Sequence, residues 1–290
     1  FEGNANAFRL LTHQFKGRRS GGFALTYSTI ASIIKYPYSS LSAQGKNKFG
    51  FFATEEETIR EVATELGLKQ LDEDPLRYAR HPLVYLVEAA DDICYQIMDI
   101  EDACKLHILG YDEAQGLIQG FFADDELREI QHVANTIGDP NERMGYLRSK
   151  AINLLVEEAA SLFLDAEEAI LAGTFEGSLI QHLSPRLLSA YQACSRTAYA
   201  KIYSAREVVD VELAGHRIFS ALLDQLIEAQ MHPDHLYSRT LLSRVSSQYE
   251  MNHPTVYGRI QSSLDYISGM TDIYALDLYR RITGMNLPAV

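Results

Sequence analysis

The stretch EAADDICYQIMDIED, residues 88–102, decides the fold class of this sequence. It carries six carboxylates in fifteen residues, with isoleucine, cysteine and methionine between them. At ~100° per residue on an α-helix, its polar side chains share an arc of roughly 80° and an apolar arc lies opposite. The polar arc holds Glu88, Asp91, Tyr95, Asp99 and Asp102. The arc predicted to be buried holds Val87, Ala90, Ile93, Cys94, Ile97, Ile100 and Cys104. The mixed composition therefore predicts one helix with two faces.

The segments that precede this helix also predict helical structure. Residues 25–35 form an amphipathic run that ends before Pro37, as helices tend to. Residues 46–57 predict a short aromatic hairpin or loop that leads into a helix, with Thr54 as the N-cap and Glu57 at the capping-box position. Pro82 is expected in the first turn of the acidic helix.

The segments that follow show the same helical period. From Ile152 to Ile170, apolar residues recur at spacings of three and four until Gly173 ends the run. Pro185 is expected to open another helix, and residues 208–230 predict a further one. The HPDH segment, residues 232–235, reads as a loop with solvated histidines rather than a metal site. Alternating strand patterns are nearly absent, so we predict an all-α fold with a helical C-terminal half.

Composition excludes several classes of protein. No run of about eighteen apolar residues is present to span a membrane. The three cysteines form no CxxC pair, which fits a reducing compartment, and a net charge of -13 argues against a general nucleic-acid surface. The first residue of the chain is Phe1 rather than a methionine, and no signal peptide is visible. We therefore expect that an N-terminal segment is missing and that the protein is cytoplasmic.

The charges are distributed unevenly along the chain. Residues 1–50 hold seven Lys and Arg residues against one acid, whereas residues 51–110 hold fourteen acids against five Lys and Arg. The two segments could simply neutralise each other. They could also form a pocket with a cationic and an anionic side, as a metal-bound phosphate ester would require.

The acidic arc of residues 88–102 has two interpretations. It could be a solvated helix face. However, no Lys or Arg lies on the arc to relieve the repulsion between like charges, and an aromatic ring, Tyr95, lies within it. A divalent cation would relieve that repulsion, because hard cations prefer carboxylate oxygens. One helix rarely completes a metal site, so other ligands would come from elsewhere.

Five segments together resemble bacterial deoxyguanosine triphosphate triphosphohydrolases, which are HD-domain phosphohydrolases. HPLVYLVEAADDICYQIMDIEDA (81–103) resembles the helix that carries the last metal-binding aspartate of that family. The other four segments are FEGNANAFRLLT (1–12), LTYSTIASIIKYP (25–37), KNKFGFF (46–52) and DYISGMTDIYALDLYRRI (265–282). They occur in the family's order and span the chain. The resemblance implies an HD-domain-like helical fold, with residues 1–150 as the C-terminal portion of the catalytic core and residues 151–290 as a helical half packed on it.

The resemblance also assigns roles to individual residues. Asp91 matches a metal ligand, Tyr95 matches a tyrosine that disfavours a 2′-hydroxyl, and Asp99 matches the aspartate that binds the sugar 3′-hydroxyl. Three residues match positions that contact phosphates: Asn4, Lys35 and Lys48, with Lys46 as an alternative to Lys48. Asp92 is expected to be structural. The implied cofactor is a divalent metal, Mg²⁺ or Mn²⁺, and the implied partners are dGTP or another dNTP and further copies of the chain.

One departure from the family limits what the 290 residues can do. No His-Asp dipeptide occurs in them. The family's upstream metal ligands and its catalytic histidine and glutamate precede the FEGNA segment, so we expect them before Phe1. The chain by itself is predicted to hydrolyse nothing, because it supplies one metal ligand of about four. The intact protein is expected to split dGTP into deoxyguanosine and inorganic triphosphate. The alternatives are a nucleotide-binding regulator without catalysis and an HD phosphohydrolase that acts on another phosphoester.

Overall fold

The computed structural model describes residues 1–17, 22–43 and 47–285. Helices dominate these residues, which confirms the predicted all-α class. The chain divides into two compact units: one contains residues 1–13 and the chain from residue 22 to Ala205, and the other contains residues 14–17 and the chain from Arg206 onward. The predicted boundary at residue 150 falls within a continuous helix, Pro140–Asp165. The assignment of residues 1–150 to a catalytic core stays a prediction.

The first unit is built around one long helix. Its helices are, in chain order, α1 (Gly3–Thr12), α2 (Tyr27–Ser32), α3 (Glu56–Glu65), α4 (Pro82–Lys105), α5 (Tyr111–Gln119), α6 (Asp124–Ala134), α7 (Pro140–Asp165), α8 (Glu167–Leu171) and α9 (Pro185–Thr197). Helix α4 packs against α7, and also against α2, α5 and α9. The main core of the unit lies between these helices and includes Ile97 of α4 and Leu155 of α7, both fully buried.

Local signals account for where α4 begins. The His81 imidazole accepts a hydrogen bond from the backbone N–H of Leu83, and Pro82 occupies the first turn, as predicted. Proline suits this position because its missing N–H would have no partner within the helix. The helix ends at Lys105, and His107 then adopts a positive φ of 59°.

The face of α4 that is buried differs from the prediction. Ile93, Ile97 and Ile100 are buried as expected, and Cys104 is half-buried. Three residues of the predicted apolar arc are instead exposed: Val87, Ala90 and Cys94. Conversely, Glu88 of the predicted polar arc is buried. The buried arc is rotated toward Gln96, because α9 packs on that side of the helix and its Ser195 hydroxyl hydrogen-bonds the Gln96 side chain.

Two helices near the N-terminus also differ from the prediction. Helix α2 spans only Tyr27–Ser32, so Lys35 lies in the loop after it rather than within the predicted run to residue 35. The predicted cap at Thr54 is wrong: a 3₁₀ turn, Ala53–Glu55, leads into α3. The Thr54 hydroxyl is held instead by the buried Arg9–Glu55 ion pair, accepting from the guanidinium at 3.2 Å and donating to the carboxylate at 2.8 Å. Lys46 lies outside the described residues.

Short strands and a helix break complete the first unit. Strands β1 (Gln70–Glu73) and β2 (Leu76–Tyr78) pair antiparallel, and Glu73 lies opposite Leu76. The apolar run predicted from 152 to 170 is interrupted at Ala166, where α7 ends and α8 begins. Gly173 follows with a φ of +67°, a conformation that favours glycine, and a Cβ there would lie 2.8 Å from that of Ala79.

The second unit is a helical bundle with its own core. It contains α10 (Arg206–Met231), α11 (Leu236–Leu242), α12 (Val256–Ser268) and α13 (Asp272–Ile282). Leu222 and Leu226 of α10 pack with residues of α12 and α13. Helix α10 contains the run predicted at 208–230, and residues 232–235 form an exposed loop, as predicted. In the described ranges, no helix has both the length and the apolar character needed to cross a membrane.

Candidate functional site

Asp91, Tyr95 and Asp99 lie along one stripe of α4 because they are spaced four residues apart. Asp91 and Tyr95 are exposed, and 67% of the Tyr95 surface is accessible. Tyr95 is therefore not a core residue of this unit. Helix α9 packs against α4 near the stripe's first residue, since the Tyr191 hydroxyl of α9 donates to the backbone carbonyl of Asp92 at 3.2 Å.

Asp99 is held by a tyrosine from the C-terminal end of α9. A π-helical turn, Ala198–Ile202, follows α9 and precedes Tyr203. The Tyr203 hydroxyl donates to Asp99 Oδ2 at 2.6 Å. Burial is the largest cause, and this hydrogen bond the second largest, of a rise in the pKa of Tyr203 to about 12. The hydroxyl therefore keeps the proton that it donates. No donor among the described residues reaches Asp99 Oδ1, so this oxygen can accept a hydrogen bond from a ligand.

Lys35 meets α4 in a network of two cations and two carboxylates. Its Nζ lies 3.0 Å from Glu88 Oε1 and 3.9 Å from Asp92 Oδ1. Arg80, two residues before α4, reaches Glu88 Oε2 at 3.0 Å from the other side. The same guanidinium donates to the carbonyls of Lys35 and Gly177, at 3.0 and 3.2 Å. The network fastens the loop after α2 to the beginning of α4.

The carboxylates around Lys35 keep it charged. Burial by itself would lower the pKa of Lys35, but the hydrogen bond to Glu88 and the charges of Glu88 and Asp92 outweigh burial and raise it. Burial also raises the pKa of Asp92, while the charge of Lys35 opposes that rise. Lys35 is thus a permanent cation next to the stripe, as a phosphate contact requires.

A second cluster brings Asn4 and Lys48 together. The buried Glu2 carboxylate caps α1 and accepts from the backbone N–H of Asn4 at 2.5 Å and from its side-chain amide at 2.9 Å. Lys48 Nζ lies 3.3 Å from the same carboxylate, and the lysine side chain is more than half exposed. The Glu2 carboxylate therefore holds two of the residues that were predicted to contact phosphates.

Comparison with known proteins shows which family the sequence belongs to. The sequence profile described as a phosphohydrolase-associated domain matches residues 181–281. A deoxyguanosinetriphosphate triphosphohydrolase-like protein of Pseudomonas aeruginosa is 34% identical over 302 aligned residues, which cover all of this chain and 67% of the relative. The chain belongs to the deoxyguanosinetriphosphate triphosphohydrolase-like family.

Two further relatives show how much of these proteins the chain represents. A triphosphohydrolase-like protein of Synechocystis is 35% identical over 99% of this chain and 66% of its own length. A deoxyguanosinetriphosphate triphosphohydrolase of Yersinia pestis is 29% identical over 97% of this chain and 63% of its own length. The chain therefore spans about two thirds of the length of these triphosphohydrolase relatives.

From the sequence we expect this chain to supply one ligand of a metal centre, Asp91. No group of three or more His, Cys, Asp and Glu side chains that could hold a metal ion occurs within residues 1–17, 22–43 and 47–285. Asp91 contributes one carboxylate at the exposed surface of α4. Its role as a metal ligand stays a prediction, as do the nucleotide contacts of the other site residues.

The sequence did not predict the roles of three residues at the site. Glu2 and Arg80 hold predicted phosphate ligands, and Tyr203 holds Asp99. Glu88 was recognised as polar, but its burial between two cations was not. Arg80 and Glu88 are 8 residues apart in sequence, and Tyr203 and Asp99 are 104 apart; only Glu2 and Asn4 are near neighbours. A pattern of local spacing could therefore not reveal the distant pairs.

Proposed function

We propose that the full-length protein hydrolyses dGTP or other dNTPs to the deoxynucleoside and inorganic triphosphate. The observation that carries the proposal is the meeting of two features on α4. Asp91, Tyr95 and Asp99 share one stripe, and a charged lysine, Lys35, is held at the same helix. A polyanion and a sugar could be bound side by side on such a surface, because Lys35 supplies a positive charge for phosphates and Asp99 supplies an acceptor for a hydroxyl.

The proposed reaction is attack by water on the α-phosphorus of the substrate. The new bond joins the water oxygen to phosphorus, and the bond from phosphorus to the 5′-oxygen breaks. The nucleoside leaves with a proton on that oxygen, and the three phosphates depart as one group. Lys35 and Lys48 would offset the charge of the triphosphate, which this acidic protein otherwise repels. Asp99 would accept from the 3′-hydroxyl, and the Tyr95 ring would exclude a 2′-hydroxyl.

We propose that a divalent cation, Mg²⁺ or Mn²⁺, is required, with Asp91 among its ligands. When bound, such an ion would lower the pKa of water and polarise a phosphoryl oxygen. The support for this requirement is the family resemblance and the chemistry of an exposed carboxylate. We also propose that the protein is a homo-oligomer and is located in the cytoplasm.

Product analysis tests the proposal directly. The full-length protein is incubated with each dNTP and Mg²⁺ or Mn²⁺, and the products are separated by anion-exchange chromatography. We expect a nucleoside and inorganic triphosphate, and no product after chelation of the metal. Pyrophosphate with a nucleoside monophosphate would show a different bond cleavage and would contradict the proposal.

Replacement of one carboxylate tests the role of the stripe. Asp91→Ala is expected to lower turnover by at least about a hundredfold, because the group that it removes acts on the transition state. Asp102→Ala is the matched control, since Asp102 is also an exposed aspartate of α4. Near-normal activity of Asp91→Ala, or an equal loss in both variants, would rule out the proposed role of Asp91.

A regulatory homologue that binds dNTPs without hydrolysis is the second candidate. The sequence that precedes the FEGNA segment in the full-length protein separates it from the hydrolase: a His-Asp dipeptide there supports the hydrolase, and its absence there supports the regulator. Equilibrium binding distinguishes the two functions: a regulator would bind dGTP with a defined affinity and release no triphosphate over many hours with either metal.

A further inference from the structure

We infer that Glu88, itself held by Arg80, is a positioning residue that aims the Lys35 ammonium at the phosphates of a bound nucleotide. The inference rests on the proposed function and deepens it, because it names the residue that holds the Lys35 side chain in position for phosphate binding. It depends on three features: the burial of Glu88, the anchoring of Arg80 and the open donors of Lys35.

The Glu88 carboxylate is a buried acid whose two oxygens are divided between two cations. Oε1 faces Lys35 Nζ and Oε2 faces Arg80 NH1, both at 3.0 Å, and only 7% of the Glu88 side chain is exposed. Withdrawal of a carboxylate from water is costly unless its oxygens are paired, so Glu88 is constrained to keep both partners. A carboxylate with two fixed partners has little freedom to rotate.

Arg80 anchors this carboxylate to the backbone of two other segments. Its Nε donates to the carbonyl of Lys35, and its NH1 donates to the carbonyl of Gly177. The guanidinium carbon also lies 5.6 Å from the centre of the Tyr85 ring, within the range of a cation–π contact. Arg80 thus holds both the carboxylate that binds the Lys35 side chain and the backbone from which that side chain extends.

Lys35 keeps donors for a ligand in spite of these contacts. Its ammonium carries three N–H groups, and Glu88 accepts one of them. Asp92 Oδ1, at 3.9 Å, is too distant for a hydrogen bond. The Lys35 side chain is 28% exposed, so its ammonium is open to solvent and can donate to the phosphate oxygens of a ligand.

Helix α4 supplies a matched control for this arrangement. Glu101 is also buried, and it is also paired with one lysine and one arginine: Lys105 and Arg148, each at 2.8 Å. It lies 13 residues further along the helix, or about 20 Å at 1.5 Å per residue. Replacement of either glutamate by glutamine removes a buried charge from two cations. Only Glu88 has a partner that is assigned to the phosphates.

The test compares Glu88→Gln with Glu101→Gln in the full-length protein, using inorganic triphosphate as the probe. Affinity is measured by isothermal titration calorimetry, and kcat and KM for dGTP are measured on the same samples. We expect similar losses in melting temperature for both variants. Glu88→Gln should weaken triphosphate binding and raise the KM for dGTP by about tenfold or more, since loss of one hydrogen bond to a charged group changes an affinity by about that factor. Glu101→Gln should leave both values within about twofold of the wild type.

A double variant tests whether Glu88 acts through Lys35. If it does, Glu88→Gln should weaken triphosphate binding far less in a Lys35→Ala background than in the wild type. Equal effects in the two backgrounds, or equal effects of Glu88→Gln and Glu101→Gln on binding, would overturn the inference. If Glu88→Gln does not fold, Glu88→Asp retains the charge with a shorter reach and should show the same selective loss.

The probe separates this inference from the proposed function. Loss of triphosphate affinity in Glu88→Gln, in a protein that releases no triphosphate from dNTPs, would support the inference and reject the hydrolysis. Triphosphate release with unchanged affinity in Glu88→Gln would support the hydrolysis and reject the inference.

Discussion

Truncation of two aliphatic residues of α4 tests which face of this helix is buried. The sequence places Val87 and Ile97 on the same apolar arc, whereas the structure separates them: Ile97 is fully buried and Val87 is 44% exposed. Ile97→Ala and Val87→Ala should therefore have very different effects on the free energy of unfolding. Under the periodicity argument alone, both would be core substitutions.

The expected magnitudes follow from the burial. Ile97→Ala removes three carbon groups at about 0.8 kcal/mol each, or roughly 2.4 kcal/mol, before any cavity is counted. With the cavity, the loss should be about 3–4 kcal/mol, within the range for buried isoleucine. Val87→Ala removes two carbon groups that are already near half exposure, worth about 1 kcal/mol. Since alanine favours the helix by roughly half that amount, the net loss should be about 0.5 kcal/mol or less.

Urea denaturation of the 290-residue chain, followed by far-UV circular dichroism, measures these differences. The two compact units could unfold in separate transitions, so the comparison uses the transition that Ile97→Ala shifts. Ile97→Val is the control and should cost about 1 kcal/mol, because it removes one methyl group from the same site. A loss below about 1 kcal/mol for Ile97→Ala, or equal losses for Ile97→Ala and Val87→Ala, would refute the assignment of the buried face.

Four further predictions concern the site and the stability of the first unit. Tyr95→Ala in the full-length protein should lower the preference in kcat/KM for dGTP over GTP by about tenfold or more, and an unchanged ratio would remove its role at the sugar. Tyr203→Phe should reduce the preference for dGTP over its 2′,3′-dideoxy analogue by about tenfold, because Asp99 loses the hydroxyl that orients it; equal effects on both substrates would contradict this. Burial raises the pKa of the Cys194 thiol to about 12, so a thiol reagent at about pH 8 should modify it only after unfolding, and early loss of this thiol by mass spectrometry would count against its burial. Asp139→Ala should cost about 1 kcal/mol in urea denaturation, since the carboxylate accepts two backbone N–H groups at the beginning of α7; no measurable change would show that this cap adds no stability.

The sequence interpretation was accurate where structure depends on neighbouring residues and wrong where it depends on residues distant in sequence. Pro82 and Pro185 lie in the first turns of their helices as predicted, because the preference of proline for that position depends only on the backbone of one turn. Thr54 carried an equally clear local signal, yet its hydroxyl is held by the Arg9–Glu55 pair. Arg9 lies 45 residues away from Thr54, so a capping pattern could not anticipate the competition.

The sequence alone determined that the chain is helical, that Asp91, Tyr95 and Asp99 share one stripe, and which family the chain resembles. These properties depend on residue order, because helical periodicity and motif spacing are properties of the chain itself. Only the tertiary structure decided that Val87 is exposed, that Glu88 is buried between Lys35 and Arg80, and that Tyr203 binds Asp99. The physical reason is that the geometry of a helix gives it two faces, but the elements that pack against the helix decide which face is buried. They also decide which charged side chains lose water and must be paired.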